Sequence, residues 1–254
     1  MHQCLILAWN SFLEARHNKI LHIAGLFCAL LIIFSLFMGE VSLYQNEKVV
    51  KDVGMACISL LGIFVAVFMG VSTLTRELEG RTIYSIMAKP MERYQILVGK
   101  YLGMVFVLFV VVVMMTIYLY TVTAFMEATV DIHLLPAIGL IFVELAVVAA
   151  FAIFFSSFST PFLSGFFTVG VVIVGRVAKE LGEFGARSKN IIFKFFAEGV
   201  QTVFDLDSFN LRTRAVHKFP IYYQDFWLPV LYGILIVAIL MTISIMTFQK
   251  RDFK

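Results

Sequence analysis

Few residues in this chain have both the type and the placement to do chemistry. Glu144 stands mid-run in "GLIFVELAVVAAFAIFF", residues 139–155. A carboxylate in such a run costs on the order of 3 kcal/mol if it sits in lipid, so it is by default a functional hypothesis. Three readings stand side by side: a protonated, hydrogen-bonded packing residue, an ion pair with a base such as Arg176 on the adjoining antiparallel span, or a lining of a substrate path. The second unusual feature is "TRELEGRTIYSIMAKPMERYQILVGKYLG", residues 75–103, mixed in charge and set between two highly apolar runs. Hydrolytic chemistry would need a nucleophile beside a base, or closely spaced metal ligands. The chain holds no HExxH and no GxSxG motif, and His2, His17, His22, His133 and His217 lie far apart. Cys4, Cys28 and Cys57 have no paired spacing, and the 12 Met are scattered as flexible filler. No catalytic and no metal-binding residue is therefore expected. A GxxxxGK[ST] loop is also missing, so nothing here cradles a nucleotide phosphate, and work done on this chain must be supplied by a partner.

The elements that position these residues follow from composition. The 254 residues are 61% hydrophobic and 15% charged, with a mean hydropathy of +0.93. Soluble domains sit near about 45–50% apolar and about 25% charged, so an all-α integral membrane protein is expected. A bilayer core needs roughly 20 apolar residues per helix. Ile20–Met38, Val53–Leu74, Tyr101–Phe125, Leu134–Phe155 and Phe226–Phe248 meet that length, and Phe162–Val177 is a shorter sixth span with Arg176 at its end, free to snorkel. "SSFSTP" makes a tight turn between spans four and five. Residues 1–19 lack the apolar core of a cleavable signal.

Orientation follows from Lys and Arg in short loops. Arg16 and Lys19 precede the first span; Arg76, Arg81, Lys89, Arg93 and Lys100 follow the second; Lys250, Arg251 and Lys254 end the chain. Residues 126–133 carry Glu127 and Asp131 and no Lys or Arg. Both termini and residues 75–100 are thus expected in the cytoplasm, and residues 178–225 outside.

Three amphipathic pieces flank the spans. Residues 3–19 set Leu5, Ala8, Trp9, Phe12 and Leu13 on one face, a cytoplasmic interfacial helix. Residues 75–100 read as a helix pair: Leu78, Thr82, Ile83, Ile86 and Met87 fall on one stripe, Pro90 ends the first helix by removing a donor, and a second helix starts near Met91 and runs into span three. The exposed face mixes acids with bases, which suits a protein partner better than anionic lipid. In the outer loop, Ile192, Phe195, Phe196, Val200, Val203 and Phe204 recur near helical spacing, as in an interfacial helix, packing lid or lateral gate. Asp207 or Ser208 is expected to cap the helix that follows.

The order of these pieces, with "NSFLEARHNKILHI" (10–23), "NEKVVKDVGMACISLLG" (46–62), "FSSFSTP" (155–161), "LDSFNLR" (206–212) and "QKRDFK" (249–254), resembles the ABC-2 class of ABC-transporter permeases. The nearest branch is the one linked to multicopper-enzyme maturation, including that of nitrous-oxide reductase. The resemblance implies a single transmembrane domain over 1–254 in the bacterial inner membrane. It implies an ATP-hydrolysing ABC subunit in two copies, with ATP and Mg held there, and a second permease copy, plausibly identical. Lipid bilayer and a periplasmic accessory protein complete the expected partners; nucleic acid is excluded. The helix after span two would be a coupling helix, contacting the ATPase through Arg76, Glu77, Glu79, Gly80, Arg81, Tyr84, Lys89 and Pro90. Lipid or glycolipid export, mechanical transmission without cargo, and, further off, an intramembrane enzyme or scaffold are the competing functions.

Overall fold

A computed structural model describes residues 46–79, 93–127, 131–187 and 190–249, together with isolated helical positions at Leu13, Gly25, Leu26, Ala29, Ile33 and Phe37. Its long helices are α1 (Asn46–Glu79), α2 (Arg93–Glu127), α3 (Leu134–Phe158), α4 (Pro161–Arg187), α5 (Ile191–Phe204) and α7 (Tyr223–Gln249), with a short α6 (Arg212–Val216) before the last. Among the described residues every regular element is helical, and five helices (α1, α2, α3, α4 and α7) are long and apolar enough to cross a membrane. Helix is the expected solution there, because lipid offers the backbone no hydrogen-bond partners. The expected first span, Ile20–Met38, and the amphipathic helix over residues 3–19 lie outside the described residues apart from those isolated positions.

Close contacts fix the directions of the helices. Ser59 meets Glu144, and a Cβ on Gly70 would stand 2.3 Å from that of Ala152, so α1 and α3 run parallel. Tyr101 donates to the Ala146 carbonyl (3.2 Å) and Tyr120 to that of Asp131 (3.0 Å), which sets α2 antiparallel to α3. Ser164 donates to the Ala152 carbonyl (3.3 Å), so α4 also returns antiparallel. The reversal is brief: Ser159 is extended, and Pro161 opens α4 at the first helical position, where a missing N–H costs nothing. Around α3 the buried Leu140, Leu145, Val147, Val148, Ala149 and Ala150 form the centre of the bundle. Without water to drive association, such contacts hold by close van der Waals packing, which small residues at the crossings permit.

Several expected boundaries are corrected. The second span's helix extends back to Asn46, so Lys51 lies within α1 and is buried, whereas α2 begins at Arg93, close to the start expected near Met91, and buries Lys100. The fifth span does not stop near Arg176: α4 continues through Arg187. Asp207–Phe209 is a 3-10 turn; Asp205 accepts from the Ser208 N–H (3.2 Å), and neither Asp207 nor Ser208 caps a helix.

One end of the bundle is tied by Asp131. Its Oδ2 accepts from Lys51 Nζ at 3.2 Å and faces Lys218 Nζ at 3.6 Å, while Oδ1 accepts from the His133 N–H at 3.3 Å. Three segments (the start of α1, the α2–α3 loop and the α6–α7 loop) meet at that carboxylate. Burial raises the Asp131 pKa, but the Lys51 and His133 hydrogen bonds and the charges of Lys51 and Lys218 outweigh it and hold the carboxyl below its ordinary range. A depressed folded pKa means stabilisation that is complete above the unfolded value, about 3.9 for Asp, and lost as pH falls through the folded one. Asp131→Asn should cost about 3 kcal/mol at neutral pH, the low end for breaking a buried pair. Thermal unfolding of both proteins in an acid-stable detergent should show the gap closing as pH drops below about 4.

Candidate functional site

The intramembrane acid has a partner. Arg176 Nη2 donates to Glu144 Oε1 at 2.8 Å and to Ser59 Oγ, while Ser59 Oγ donates to Glu144 Oε2 at 3.2 Å. Both carboxylate oxygens are thereby satisfied, and α1, α3 and α4 are joined at one point. Counted from the α3–α4 reversal, Glu144 and Arg176 both lie about 21–23 Å along their helices at 1.5 Å per residue, so antiparallel packing brings them level. Glu144 is 5% exposed, whereas the Arg176 side chain is 40% exposed and bounds an opening.

That opening is shaped by the chain after α4. Its buried stripe, Ser164, Thr168, Val172, Gly175, Ala178, Gly182 and Gly185, keeps one face of α4 narrow. On the last part of that stripe α5 packs antiparallel: a Cβ on Gly185 would stand 2.4 Å from that of Ala197, and one on Gly182 would strike Gln201. Asn190 starts α5 by accepting from the Ile192 N–H (3.1 Å). The expected outer-loop helix therefore exists, but it is braced upright against α4 and leaves Ile191, Ile192, Phe195 and Phe196 exposed. At its end the Leu206 N–H donates to the Gly175 carbonyl (3.1 Å), and a Gly175 side chain would collide with the Phe204 carbonyl. Tyr232 on α7 secures the same corner, donating to the Thr202 carbonyl and accepting from the Asp205 N–H, both at 3.2 Å. Phe209, fully buried, pins the turn beside Tyr232 with ring centroids 6.0 Å apart.

Together these contacts carry residues 206–212 over the ion pair and enclose a cavity of about 170 Å³. Glu144, Arg176, Asp207, Asn210 and Arg212 supply its polar lining. Among the described residues no three His, Cys, Asp or Glu side chains come together to hold a metal ion. Sequence reasoning named Glu144 and Arg176, assigned Asp207 only to a helix cap, and passed over Ser59, Asn210 and Arg212. The available signal was a polar run, "DLDSFNLR", after an apolar helix. Of the expected coupling residues, Arg76, Glu77 and Glu79 lie in the final turns of α1, while Gly80, Arg81, Tyr84, Lys89 and Pro90 lie outside the described residues.

A bundle of long apolar helices with one internal ion pair is compatible with many membrane functions. Residues 5–253 match the family described as ABC-2 family transporter protein. The chain belongs to that family. No individual curated protein matches it. It is thus a multi-pass membrane permease subunit of an ABC transporter, a class that is generally non-catalytic and associates with an ABC ATPase.

In this permease the charge pair and its packing can be tested separately. Glu144→Leu leaves Arg176 without its counter-ion. Because Arg176 is well exposed, the cost should fall short of the 3–5 kcal/mol typical of broken buried pairs, at about 1–3 kcal/mol. Glu144→Leu combined with Arg176→Leu should recover most of that loss in detergent thermal unfolding, since apolar replacement of a buried pair is often neutral.

Proposed function

We propose that this permease is the membrane half of an exporter-type ABC complex in the bacterial inner membrane, with both termini in the cytoplasm. Two copies would assemble with two ATPase subunits, which carry the ATP and Mg. Residues 76–90 form the coupling segment, with Arg76, Glu77, Glu79, Gly80, Arg81, Tyr84, Lys89 and Pro90 as the contact set. The observation that carries this reading is topological. Gly54 abuts Leu119 near the far ends of α1 and α2, so Glu79 and Arg93 lie at the same end of the bundle as the Ser159–Thr160 reversal. The mixed-charge stretch therefore connects two spans at the end where the bases of short loops concentrate, the cytoplasmic side by the positive-inside rule.

Nucleotide closes the ATPase pair only if it binds the two states of the complex with different affinity. A push on residues 76–90 would then pass directly into α1 and α2. Through Gly70 and Ala152, and through Ser59 and Glu144, α1 would carry it to α3 and the α4–α5 hairpin, as a rigid-body shift between packed states. The Asp131 end would face the periplasm and present α5 to the outer leaflet or to an accessory protein. The motif order from residues 10 to 254 supports a cargo of the multicopper-enzyme-maturation branch, whereas the exposed aromatic face of α5 supports an amphiphile.

Co-purification from the native host should recover an ABC ATPase with the tagged permease. Glu77→Ala with Arg81→Ala should leave membrane insertion intact while reducing ATPase co-purification or permease-stimulated ATP hydrolysis at least tenfold. Unchanged assembly and stimulation in that variant would remove residues 76–90 as the docking surface.

A further inference from the structure

The cavity beneath residues 206–212 is lined by two acids, Glu144 and Asp207, and two arginines, Arg176 and Arg212. Glu144 is matched by Arg176 and Ser59. Asp207 faces Lys179 Nζ at 3.9 Å and accepts from Asn210 Nδ2 at 3.3 Å. Arg212 is the remaining charged group of the lining. Arg212 lies close enough to Glu144 to act on its charge, but among the described residues its guanidinium forms no ion pair or hydrogen bond, and its Nε is buried without a partner. Buried polar atoms are nearly always satisfied, so an orphaned donor facing a cavity points to an occupant. An arginine fork is suited to planar or tetrahedral oxyanions, which it grips through several N–H groups at once.

Size narrows the occupant. About 170 Å³ exceeds the roughly 30 Å³ share of one water and falls short of the about 300–1,000 Å³ of sites that enclose a drug-sized molecule. A small oxyanion fits, or the head group of an amphiphile whose chains remain outside.

We infer that this cavity binds an oxyanion of the phosphate class, free or as a lipid head group, with Arg212 as its principal counter-charge. The site is independent of the coupling segment and stands whether or not residues 76–90 dock on an ATPase. Arg212 gains the partner it lacks, while Asp207 on the rim opposes the anion and keeps binding reversible.

The test uses the full-length protein purified in a zwitterionic detergent. In one arm inorganic phosphate is titrated at constant ionic strength and the thermal midpoint followed. In the other, phosphatidylglycerol is titrated in phosphate-free buffer and retained lipid is counted by native mass spectrometry. A saturable response to inorganic phosphate assigns a free oxyanion; a response to phosphatidylglycerol alone assigns a head group. In the responding arm Arg212→Gln should weaken binding at least tenfold, and Asp207→Asn, which removes the opposing charge and leaves Arg212 in place, should tighten it at least threefold. Should Arg212→Gln fail to fold, Asp207→Asn decides. No saturable response in either arm, an unaltered affinity in Arg212→Gln, or no tightening in Asp207→Asn overturns the assignment; a water on Arg212 Nε would give those results.

Discussion

A carboxylate and a guanidinium held against each other inside an apolar bundle constrain everything around them. Neither group tolerates lipid alone, so the helices that carry them must keep their relative height. Glu144 on α3 and Arg176 on α4 meet only because the two helices reverse within Ser159–Thr160 and run back in step. Ser59 brings α1 into the same register. The pair is weak evidence for stability, since desolvation offsets much of its Coulomb attraction. Its use is to specify one alignment of three helices among the many that apolar packing alone would allow.

Close approach then extends that alignment outward. Gly70 against Ala152 seats α1 on α3, and the small-residue face of α4 admits α5 and the Phe204–Leu206 corner. Because Leu206 bonds to the Gly175 carbonyl, the next polar residues are delivered to the immediate neighbourhood of Arg176. The cavity is thus a by-product of helix packing as much as of its own lining. At the end of the bundle, Asp131 gathers segments remote in sequence through Lys51 and Lys218.

Under the proposed coupling, motion from an ATPase would enter at helix ends and would have to pass through this packing without being lost. α1 is suited to that duty: its far end joins the charged segment, its middle bears Ser59 and its start bears Lys51. A shift of α1 against α3 and α4 would disturb both polar contacts together, which favours discrete alternatives over gradual deformation.

Much of this was legible from residue order. Apolar runs of the right length located α1, α2, α3 and α7, and a shorter run located α4, because backbone in lipid has helix as its economical solution, and a lone acid within such a run announced Glu144. Helix ends were less legible: Lys51 looks like a loop residue by charge, yet it lies buried inside α1. Composition and order determined the membrane class and the kinship with ABC-2 permeases. Only the folded chain decided that Arg176 turns inward to Glu144, that α5 stands braced on α4, and that Arg212 comes to the same cavity. Those are contacts between residues tens of positions apart, and they depend on helix register and close approach, which one-dimensional periodicity does not encode.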